Sequence, residues 1–302
     1  MKDLIIIGAG PAGITAAVYA ARKKMDFMVI SRDIGGQAAW SGDIENYPGF
    51  QFIPGPELAM KFREHLEKYK FEMLEGKGVK NIEHMPDKTF KVVLESGEEY
   101  LSKTLVVVSG KRSKLLNVPG EAKYKTKGLF FCTTCDGPIF SGKVVAIIGG
   151  GNSALDSILQ MSNIASKVYS INITEKFNGD EIMIEKISKL PNVEIFQNAK
   201  TLEILGDNFV TGVKVQLGQE IKTLSVNGVF VEIGLVPNSS FIGFVDKNEH
   251  GEIEINCSAE TSVPGLFAAG DVTDVPAKQI VVAAGDGAKA TMAAFAYLSR
   301  TR

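Results

Sequence analysis

The chain has 302 residues, of which 45% are hydrophobic and 23% are charged, and its formal net charge is −2. This balance is typical of a globular protein with enough apolar residues for two cores, and the lack of a basic excess argues against a nucleic-acid-binding protein. The sequence has no apolar run long enough to span a membrane. Asp3 does not fit the basic start of a secretory signal, so we expect a cytoplasmic protein with no membrane partner.

The first predicted elements are a buried strand over residues 4–7, a glycine-rich turn, an alanine-rich helix that runs to about Lys24, and a strand over residues 26–31. The turn has the G-x-G-x-x-G pattern. Its first glycine permits a tight turn, its second lets the backbone approach a pyrophosphate, and its third lets the helix pack on the strand. The N–H groups at the start of the helix then face the phosphates. We predict a dinucleotide site that includes Gly8, Gly10, Pro11, Ala12 and Gly13.

The same strand, turn, helix and strand pattern recurs over residues 143–172. Here Ala154 stands at the third glycine position, which the pattern allows. The residues predicted to bind a nicotinamide nucleotide are Gly149, Gly151, Asn152, Ser153 and Ala154. Two such turns about 140 residues apart imply two dinucleotide sites. One chain with two dinucleotide sites suggests a flavoprotein paired with a nicotinamide site.

Further glycine-containing segments are expected to complete the first dinucleotide-binding unit rather than the second. They are a polar loop over residues 33–49, a strand within residues 105–113, and a strand that ends at Gly270-Asp271. We expect Asp271 to cap the helix that follows and to bond a ribityl hydroxyl. A helix is predicted from Gln279 to Ser299.

We therefore predict an α/β fold with two Rossmann-like domains, the second inserted in the first. The first domain comprises residues 1–112 and 247–302, and binds FAD. The second comprises residues 113–246 and carries the nicotinamide-type turn. Two adjacent linkers between them would form a hinge.

Cys132 and Cys135 form a C-x-x-C pair in a chain with only three cysteines. A structural zinc site needs four ligands, and neither Cys257 nor the histidines show a spacing that would complete one. A static crosslink over so short a loop adds little stability. A reversible disulfide, in which one thiolate attacks a target and the other resolves the mixed disulfide, fits best. Asp136 could move a proton as the thiols open and close, and the spacing fits an exposed acid at a helix start equally well.

The segments "GAGPAG", "CTTCDG", "GKVVAIIGGGNSA" and "GLFAAGDVTD", in this order, make the chain resemble the low-molecular-weight thioredoxin reductases. After residue 190 the sequence is also similar to the C-terminal part of alkyl hydroperoxide reductase flavoproteins. Those proteins carry an additional N-terminal redox module. Here the glycine pattern already begins at residue 8, so we expect no such module.

This resemblance implies a bound FAD and a homodimer. It assigns Cys135 to face the flavin and Cys132 to attack the disulfide of the protein partner. It also implies that a rotation of the second domain brings the cysteine pair and the nicotinamide to the flavin in turn. The positions that match FAD-binding residues are Gly8, Gly10, Gly13, Gly36, Gln37, Asn46, Gly110, Asp271 and Gln279.

The chain departs from the resembled family where the 2′-phosphate of NADPH is bound. The family has arginines after the second strand of the nicotinamide unit, whereas the sequence here has no arginine between Arg112 and Arg300. Lys176 is a weak substitute for the guanidinium fork, so we do not expect NADPH as the preferred donor. Asn172 stands about where an acid would select NADH, and its amide, or the nearby Glu175, could bond the ribose hydroxyls.

The sequence therefore predicts a disulfide reductase that passes two electrons from a donor through FAD to the cysteine pair. NADH is the favoured donor, and ferredoxin or another non-nicotinamide carrier is the alternative. The acceptor is predicted to be thioredoxin or a thioredoxin-like protein, with a glutaredoxin-like protein or a peroxiredoxin as alternatives. Two other function classes compete. The flavin-dependent ferredoxin–NADP reductases of the same architecture lack the C-x-x-C pair, and a nucleotide-binding redox sensor would not turn over.

Overall fold

In the computed structural model the chain forms two compact units, of which the first is discontinuous. The structure describes residues 1–41 and 43–301. The first unit comprises Met1–Trp40, Glu45–Arg112 and Val236–Arg302, and the second comprises Ser41–Ile44 and Ser113–Leu235.

The elements that belong wholly or mainly to the first unit are β1 (Lys2–Ile7), α1 (Pro11–Arg22), β2 (Phe27–Ser31), β4 (Ile53–Pro54), α2 (Gly55–Leu66), β5 (Glu72–Glu75), β6 (Val79–His84), β7 (Phe90–Leu94), β8 (Glu99–Val107), β9 (Lys111–Ser113), β18 (Leu235–Pro237), β19 (Leu266–Ala268) and α7 (Ile280–Thr301). Those of the second unit are β3 (Asp43–Ile44), α3 (Glu121–Tyr124), β10 (Leu129–Phe130), α4 (Thr133–Asp136), β11 (Val144–Ile148), α5 (Asn152–Ser162), β12 (Lys167–Ile171), α6 (Glu181–Ser188), β13 (Val193–Phe196), β14 (Ala199–Gly206), β15 (Val210–Leu217), β16 (Glu220–Ser225) and β17 (Gly228–Val231).

The sheet of the first unit has the order β5-β2-β1-β8-β7-β6. β8 is long enough to pair antiparallel with β7 through its first residues and parallel with β19 through its last. α1 and α7 cover one face of this sheet, where small residues such as Ala290 and Ala294 are fully buried. Ile5 and Ile7 are buried in a separate cluster on the opposite face, so both faces of β1 are covered, which explains its continuous apolar run.

The second unit has a five-stranded parallel sheet of order β10-β17-β11-β12-β13. α5 and α6 pack on one face of it. The antiparallel sheet β14-β15-β16 packs on the other. In both units a strand leads directly into a glycine turn and a helix, so the predicted α/β fold with two Rossmann-like domains, the second inserted in the first, is confirmed.

The chain returns to the first unit at Leu235–Val236, about ten residues earlier than the boundary predicted at 246. Residues after β18 belong to the first core because Ile242 and Val245 are buried against its sheet. The Ile82 N–H also donates to the Phe241 carbonyl at 3.1 Å. Within residues 1–41 and 43–301, no helix is both long and apolar enough to cross a membrane.

Candidate functional site

The glycine turn of the first unit leaves a narrow, backbone-lined space in front of α1. Gly8 has a φ of +114°, and a side-chain carbon there would overlap the Val108 carbonyl. At Gly10 an added carbon would approach only the Gly36 Cα, at 3.9 Å. Among the described residues no side chain caps α1 at Gly10. The first turn of α1 therefore offers N–H groups to a phosphate across a space that a larger residue would fill, and this fits a dinucleotide pyrophosphate.

Other residues predicted to bind FAD gather at the carboxyl ends of β1, β8 and β19, where ligands bind in open α/β sheets. The Gln37 amide donates to the Lys111 carbonyl at 2.7 Å. The Asn46 amide donates to the Gln279 side-chain oxygen at 3.1 Å. Gly110 has a φ of +66° and open space where a side chain would stand.

Asp271 follows β19 in a short 3-10 turn over Gly270–Val272, and α7 begins only at Ile280. The prediction that Asp271 caps the following helix is therefore wrong, because Thr273 to Gln279 separate the two. A side-chain carbon at Gly270 would lie 3.1 Å from the Ala12 Cβ, so this turn lies against the start of α1. Burial raises the pKa of Asp271, although Lys278 and Lys111 oppose the rise.

Sequence reasoning missed a buried ionic network beside these residues. The Lys111 ammonium contacts the Glu252 carboxylate, Lys278 reaches the same oxygen at 3.2 Å, and the Asn248 amide donates to the other oxygen at 2.5 Å. Burial alone would raise the pKa of Glu252, but the hydrogen bonds from Lys111, Asn248 and Lys278 hold it at about 2. Burial lowers the pKa of Lys278. The network joins three distant chain segments next to Gly110 and Gln279, and no local pattern signals it.

Sequence reasoning also missed the residues after β2, where dinucleotide folds place a ribose-binding acid. Ser31 ends this strand, and its hydroxyl accepts the Ala9 N–H at 3.0 Å and donates to the Asp33 carbonyl at 2.6 Å. The Asp33 carboxylate accepts the Gly36 N–H at 3.2 Å and is exposed. Asp33 lies about 20 residues after the last glycine of the turn, which is the usual spacing of the acid that binds a ribose hydroxyl. This spacing could have identified Asp33 as a candidate from the sequence.

The glycine turn of the second unit is built in the same way. Gly149 has a φ of +151°, and a side-chain carbon there would overlap the Glu232 carbonyl. Ala154 is fully buried and packs behind the turn, and Ser153 is exposed at the start of α5. The Asn152 side-chain oxygen accepts the Asp180 N–H at 2.8 Å, so Asn152 holds a neighbouring loop.

Asn172 is buried, and its amide is committed to the loop that follows β12. Its nitrogen donates to the Lys176 carbonyl at 3.0 Å and to the Gln197 side chain at 2.6 Å. Its oxygen accepts from the Thr174 hydroxyl at 3.0 Å. The expectation that this amide bonds a ribose diol therefore does not hold in this structure, whereas Glu175 and Lys176 are both exposed on the same loop.

Cys132 and Cys135 are joined by a disulfide bond, with their Cα atoms 5.4 Å apart. Cys132 is the N-cap of α4, and its sulfur accepts the Cys135 N–H at 3.2 Å. Both cysteines are partly buried, and Asp136 at the end of α4 is only 4% exposed. The interpretation of Asp136 as an exposed acid is therefore wrong. Cys257, the third cysteine, is exposed and unbonded.

Polar contacts attach α4 to α5. The buried hydroxyls of Thr133 and Ser157 are 2.7 Å apart. The Gln160 amide donates to the Thr133 carbonyl at 3.2 Å. Thr133, between the cysteines, thus fixes α4 in the second unit, and the disulfide can open and close while α4 stays attached to α5.

Residues 2–287 match the family described as pyridine nucleotide-disulphide oxidoreductase. The chain belongs to this family. It is 41% identical to the F component of alkyl hydroperoxide reductase from Pseudomonas aeruginosa, over 99% of the chain and 58% of that protein. It is 40% identical to a Bacillus subtilis protein named NADH dehydrogenase, over 99% of the chain and 59% of that protein. The crystal structure of thioredoxin reductase from Streptococcus pyogenes superposes with a TM-score of 0.92 at 34% identity, covering 99% of each chain.

These similarities confirm the predicted resemblance and place the chain among the FAD-dependent disulfide oxidoreductases. Membership implies FAD and a nicotinamide nucleotide, without deciding which nucleotide. The chain spans about three fifths of the length of the curated relatives that it matches.

Proposed function

We propose that the chain is a disulfide reductase that passes two electrons from NADH through FAD to Cys132–Cys135, and from there to a disulfide of a thioredoxin-like protein. The observation that carries this proposal is the bonded cysteine pair on α4, in a unit with its own dinucleotide turn. The flavin-dependent ferredoxin–NADP reductases lack this pair, and a nucleotide-binding redox sensor would have both features but would not turn over.

FAD would be held in the first unit. The turn at Gly8, Gly10 and Gly13 and the first turn of α1 would bind its pyrophosphate. The remaining candidates are Pro11, Ala12, Gly36, Gln37, Asn46, Gly110, Asp271 and Gln279. When bound, FAD supplies hydride acceptance and two-electron transfer to a disulfide.

NADH is favoured over NADPH because the loop over residues 172–180, after β12, has one cation, Lys176, and two exposed acids, Glu175 and Asp180. A phosphate dianion is best bound by a guanidinium fork, and the carboxylates would repel it. Glu175 could instead accept hydrogen bonds from a ribose diol. The name NADH dehydrogenase, carried by a relative 40% identical, agrees with this choice. The nucleotide would bind at Gly149, Gly151 and Ser153, and a ferredoxin-like donor is the alternative.

In the second half-reaction Cys132 would attack the partner disulfide and Cys135 would resolve the mixed disulfide. Asp136 is buried beside Cys135 and would hold the exchanged proton. A thioredoxin-like partner agrees with the fold match to a thioredoxin reductase. The relatives named alkyl hydroperoxide reductase make a peroxiredoxin or a glutaredoxin-like protein the alternative acceptor.

The proposal extends to a cytoplasmic homodimer with a mobile second unit. Tyr19 on α1 and Met292 and Phe295 on α7 are exposed apolar side chains of the first unit, and we propose that they contribute to the contact between two copies. Rotation about the crossings at 112/113 and 235/236 would present the cysteine pair and the nucleotide to the flavin in turn.

The donor is tested by anaerobic titration of the purified yellow protein with NADH, NADPH and reduced ferredoxin in parallel. We expect NADH to bleach the flavin absorbance at lower concentration than NADPH. If only reduced ferredoxin bleaches it, the nicotinamide donor is rejected and the alternative stands. If no donor leads to reduction of the cysteine pair, the proposed function is rejected.

The thiol roles are tested by Cys132→Ser. We expect this variant to lose reduction of a thioredoxin disulfide while the flavin stays bound, because Cys132 would act on the partner and not on FAD. Cys257→Ser is the matched control and should keep full activity, since Cys257 is an exposed single thiol. Turnover by Cys132→Ser comparable to that of the unmodified chain would contradict the assignment.

A further inference from the structure

Glu232 lies between the two functional features of the second unit. It directly follows β17, and its N–H donates to the carbonyl of Ile148, the last residue of the neighbouring β11, at 2.7 Å. Its own carbonyl occupies the space where a side chain at Gly149 would stand. The residue is therefore fixed at the dinucleotide turn, at the carboxyl end of the sheet.

The carboxyl group of Glu232 contacts the support of the redox helix. It lies close to the Ser157 hydroxyl and to the Thr133 backbone N–H, and both groups lower its pKa. The Ser157 hydroxyl bonds the Thr133 hydroxyl at 2.7 Å, so the carboxyl lies next to the pair of hydroxyls that attaches α4 to α5. Thr133 follows Cys132 directly, so the Thr133 N–H near the Glu232 carboxyl belongs to the peptide bond between Cys132 and Thr133.

No cation neutralises Glu232 from the elements around it. α4, α5, β11 and β17 contain no lysine, arginine or histidine, and all of their residues are described. They contribute only two further acids, Asp136 on α4 and Asp156 on α5. Burial raises the pKa of Glu232 to about 7; the hydrogen bonds from Ser157 and Thr133 oppose the rise, and the charge of Asp156 adds to it.

Reduction of the disulfide would add a second negative charge beside this carboxyl. The Cys132 sulfur accepts the Cys135 N–H, and the Glu232 carboxylate lies close to the Thr133 N–H of the same turn. A thiolate at Cys132 and a carboxylate at Glu232 would be like charges held by one short helix, which disfavours both being ionised together.

We propose that Glu232 is a positioning residue that binds a proton when the Cys132–Cys135 disulfide is reduced and releases it when the disulfide forms again. The proposal rests on the redox role of the cysteine pair given above. In the forward step the S–S bond breaks, two electrons convert the sulfurs to thiolates, and a solvent proton binds the Glu232 carboxylate. Oxidation by a partner disulfide reverses each change, and the partner receives the electrons.

The test is the pH dependence of the midpoint potential of the pair. The flavin-containing protein is equilibrated with dithiothreitol redox buffers between about pH 5 and about pH 9, and free thiols are alkylated and counted by mass. If one additional proton is bound on reduction, each pH unit changes the equilibrium constant for reduction tenfold. For a two-electron reaction a tenfold change corresponds to about 30 mV, so the midpoint potential falls by a further 30 mV or so per pH unit. We expect this additional slope to begin near about pH 7.

Glu232→Gln keeps the shape and the hydrogen-bond acceptor but cannot bind the proton. At each pH the midpoint potential of the variant is subtracted from that of the unmodified chain. We expect this difference to be constant below about pH 7 and to fall by roughly 30 mV per pH unit above it. Glu220→Gln, at an exposed position on β16, is the matched control and should give a flat difference throughout. A flat difference for Glu232→Gln overturns the proposal.

Asp156→Asn provides a second and independent readout. Removing the Asp156 charge should let Glu232 ionise more easily, so the additional slope should begin at a lower pH. If Glu232→Gln does not fold, this variant decides the matter, and an unchanged onset overturns the proposal. A pair that no redox buffer reduces would reject the proposed function itself, a result distinct from a reducible pair with no Glu232-dependent slope.

Discussion

Each unit has a glutamate beside its predicted cofactor-binding residues, Glu252 buried in the first and Glu232 partly buried in the second, and the two have opposite electrostatic environments. In the first unit Glu252 is held by Lys111 and Lys278, and these bonds keep its pKa at about 2. In the second unit the fully described elements around Glu232, which are α4, α5, β11 and β17, contain no cation, and burial raises its pKa to about 7. Glu252 therefore stays ionised at neutral pH, whereas the pKa of Glu232 lies close to neutral pH.

This difference suits different tasks. A cofactor that stays bound needs a constant field, which a fixed ionic network supplies. A disulfide that opens and closes changes the charge of its surroundings in each cycle, and a nearby group that can bind a proton limits that change. The two glycine turns differ as well, since Gly13 occupies the position that Ala154 takes in the second unit.

The largest effect is expected where the two turns are made alike by Gly13→Ala. A side-chain carbon at Gly13 would overlap the Gly8 carbonyl oxygen, so α1 would have to move away from β1. We expect loss of bound flavin and a chain that fails to fold to a stable state, measured by flavin absorbance and thermal unfolding.

The control for this substitution is Gly285→Ala in α7, where no atom lies within 4 Å of the added carbon. It should raise the free energy of unfolding by roughly 0.5–1 kcal/mol, because alanine favours the helix. A Gly13→Ala protein with full flavin content would show that the close approach seen here is not required.

The next largest effect on stability is expected when the charge of Glu252 is removed, which tests the first of the two glutamates. Glu252→Gln leaves the Lys111 ammonium buried without its carboxylate, which costs about 3–5 kcal/mol of unfolding free energy for a buried pair. Because the folded-state pKa of Glu252 is depressed, its contribution is present above about pH 4.5 and is lost as the pH falls towards about 2. Denaturant unfolding from neutral to acid pH measures this.

Glu249→Gln, at a side chain that is 86% exposed, is the matched control and should change the unfolding free energy by less than about 0.5 kcal/mol. Equal losses in the two variants would contradict the importance of the network.

The opposite sign is expected for Glu232→Gln. The folded-state pKa of Glu232 is raised, so its full stability is present below about pH 4.5 and is lost as the pH rises through about 7. The glutamine variant should therefore be more stable than the unmodified chain by about 2 kcal/mol near pH 8, after allowance for partial solvent exposure. Denaturant titrations of both proteins near pH 5 and pH 8 measure the difference in unfolding free energy between variant and unmodified chain. If the variant loses stability relative to the unmodified chain between pH 5 and pH 8, the raised pKa is refuted.

The contrast between the units also shows what the sequence could predict. Both glycine turns, α1, α5 and the cysteine pair are encoded within short segments, so local patterns were sufficient to find them. The network joins Lys111 to Glu252 and Lys278, which lie more than a hundred positions further along the chain, and only the folded chain brings them together.

Local position was also misleading in three places. Asn172 stands at the expected strand end, but its amide bonds its own loop. Asp271 precedes a helix, but the chain takes seven further residues after the 3-10 turn before α7 begins. The sequence prediction places residues 236–246 in the second domain although Gly234 and Pro237 flank the crossing, whereas Ile242 and Val245 are buried in the first core.

The smallest effect is expected for Ala154→Gly, which makes the second turn match the first. Ala154 is fully buried in the first turn of α5, and a side-chain carbon at Gly149 would lie 3.0 Å from its Cβ. Removing the methyl group costs helix propensity and a little apolar burial, in total about 1 kcal/mol of unfolding free energy. Because the turn itself keeps its shape, we expect binding of NADH, measured by fluorescence titration, to change less than threefold or so. A loss of nucleotide binding as large as the flavin loss in Gly13→Ala would mean that the third position of the second turn acts on the nucleotide directly, and not only through packing.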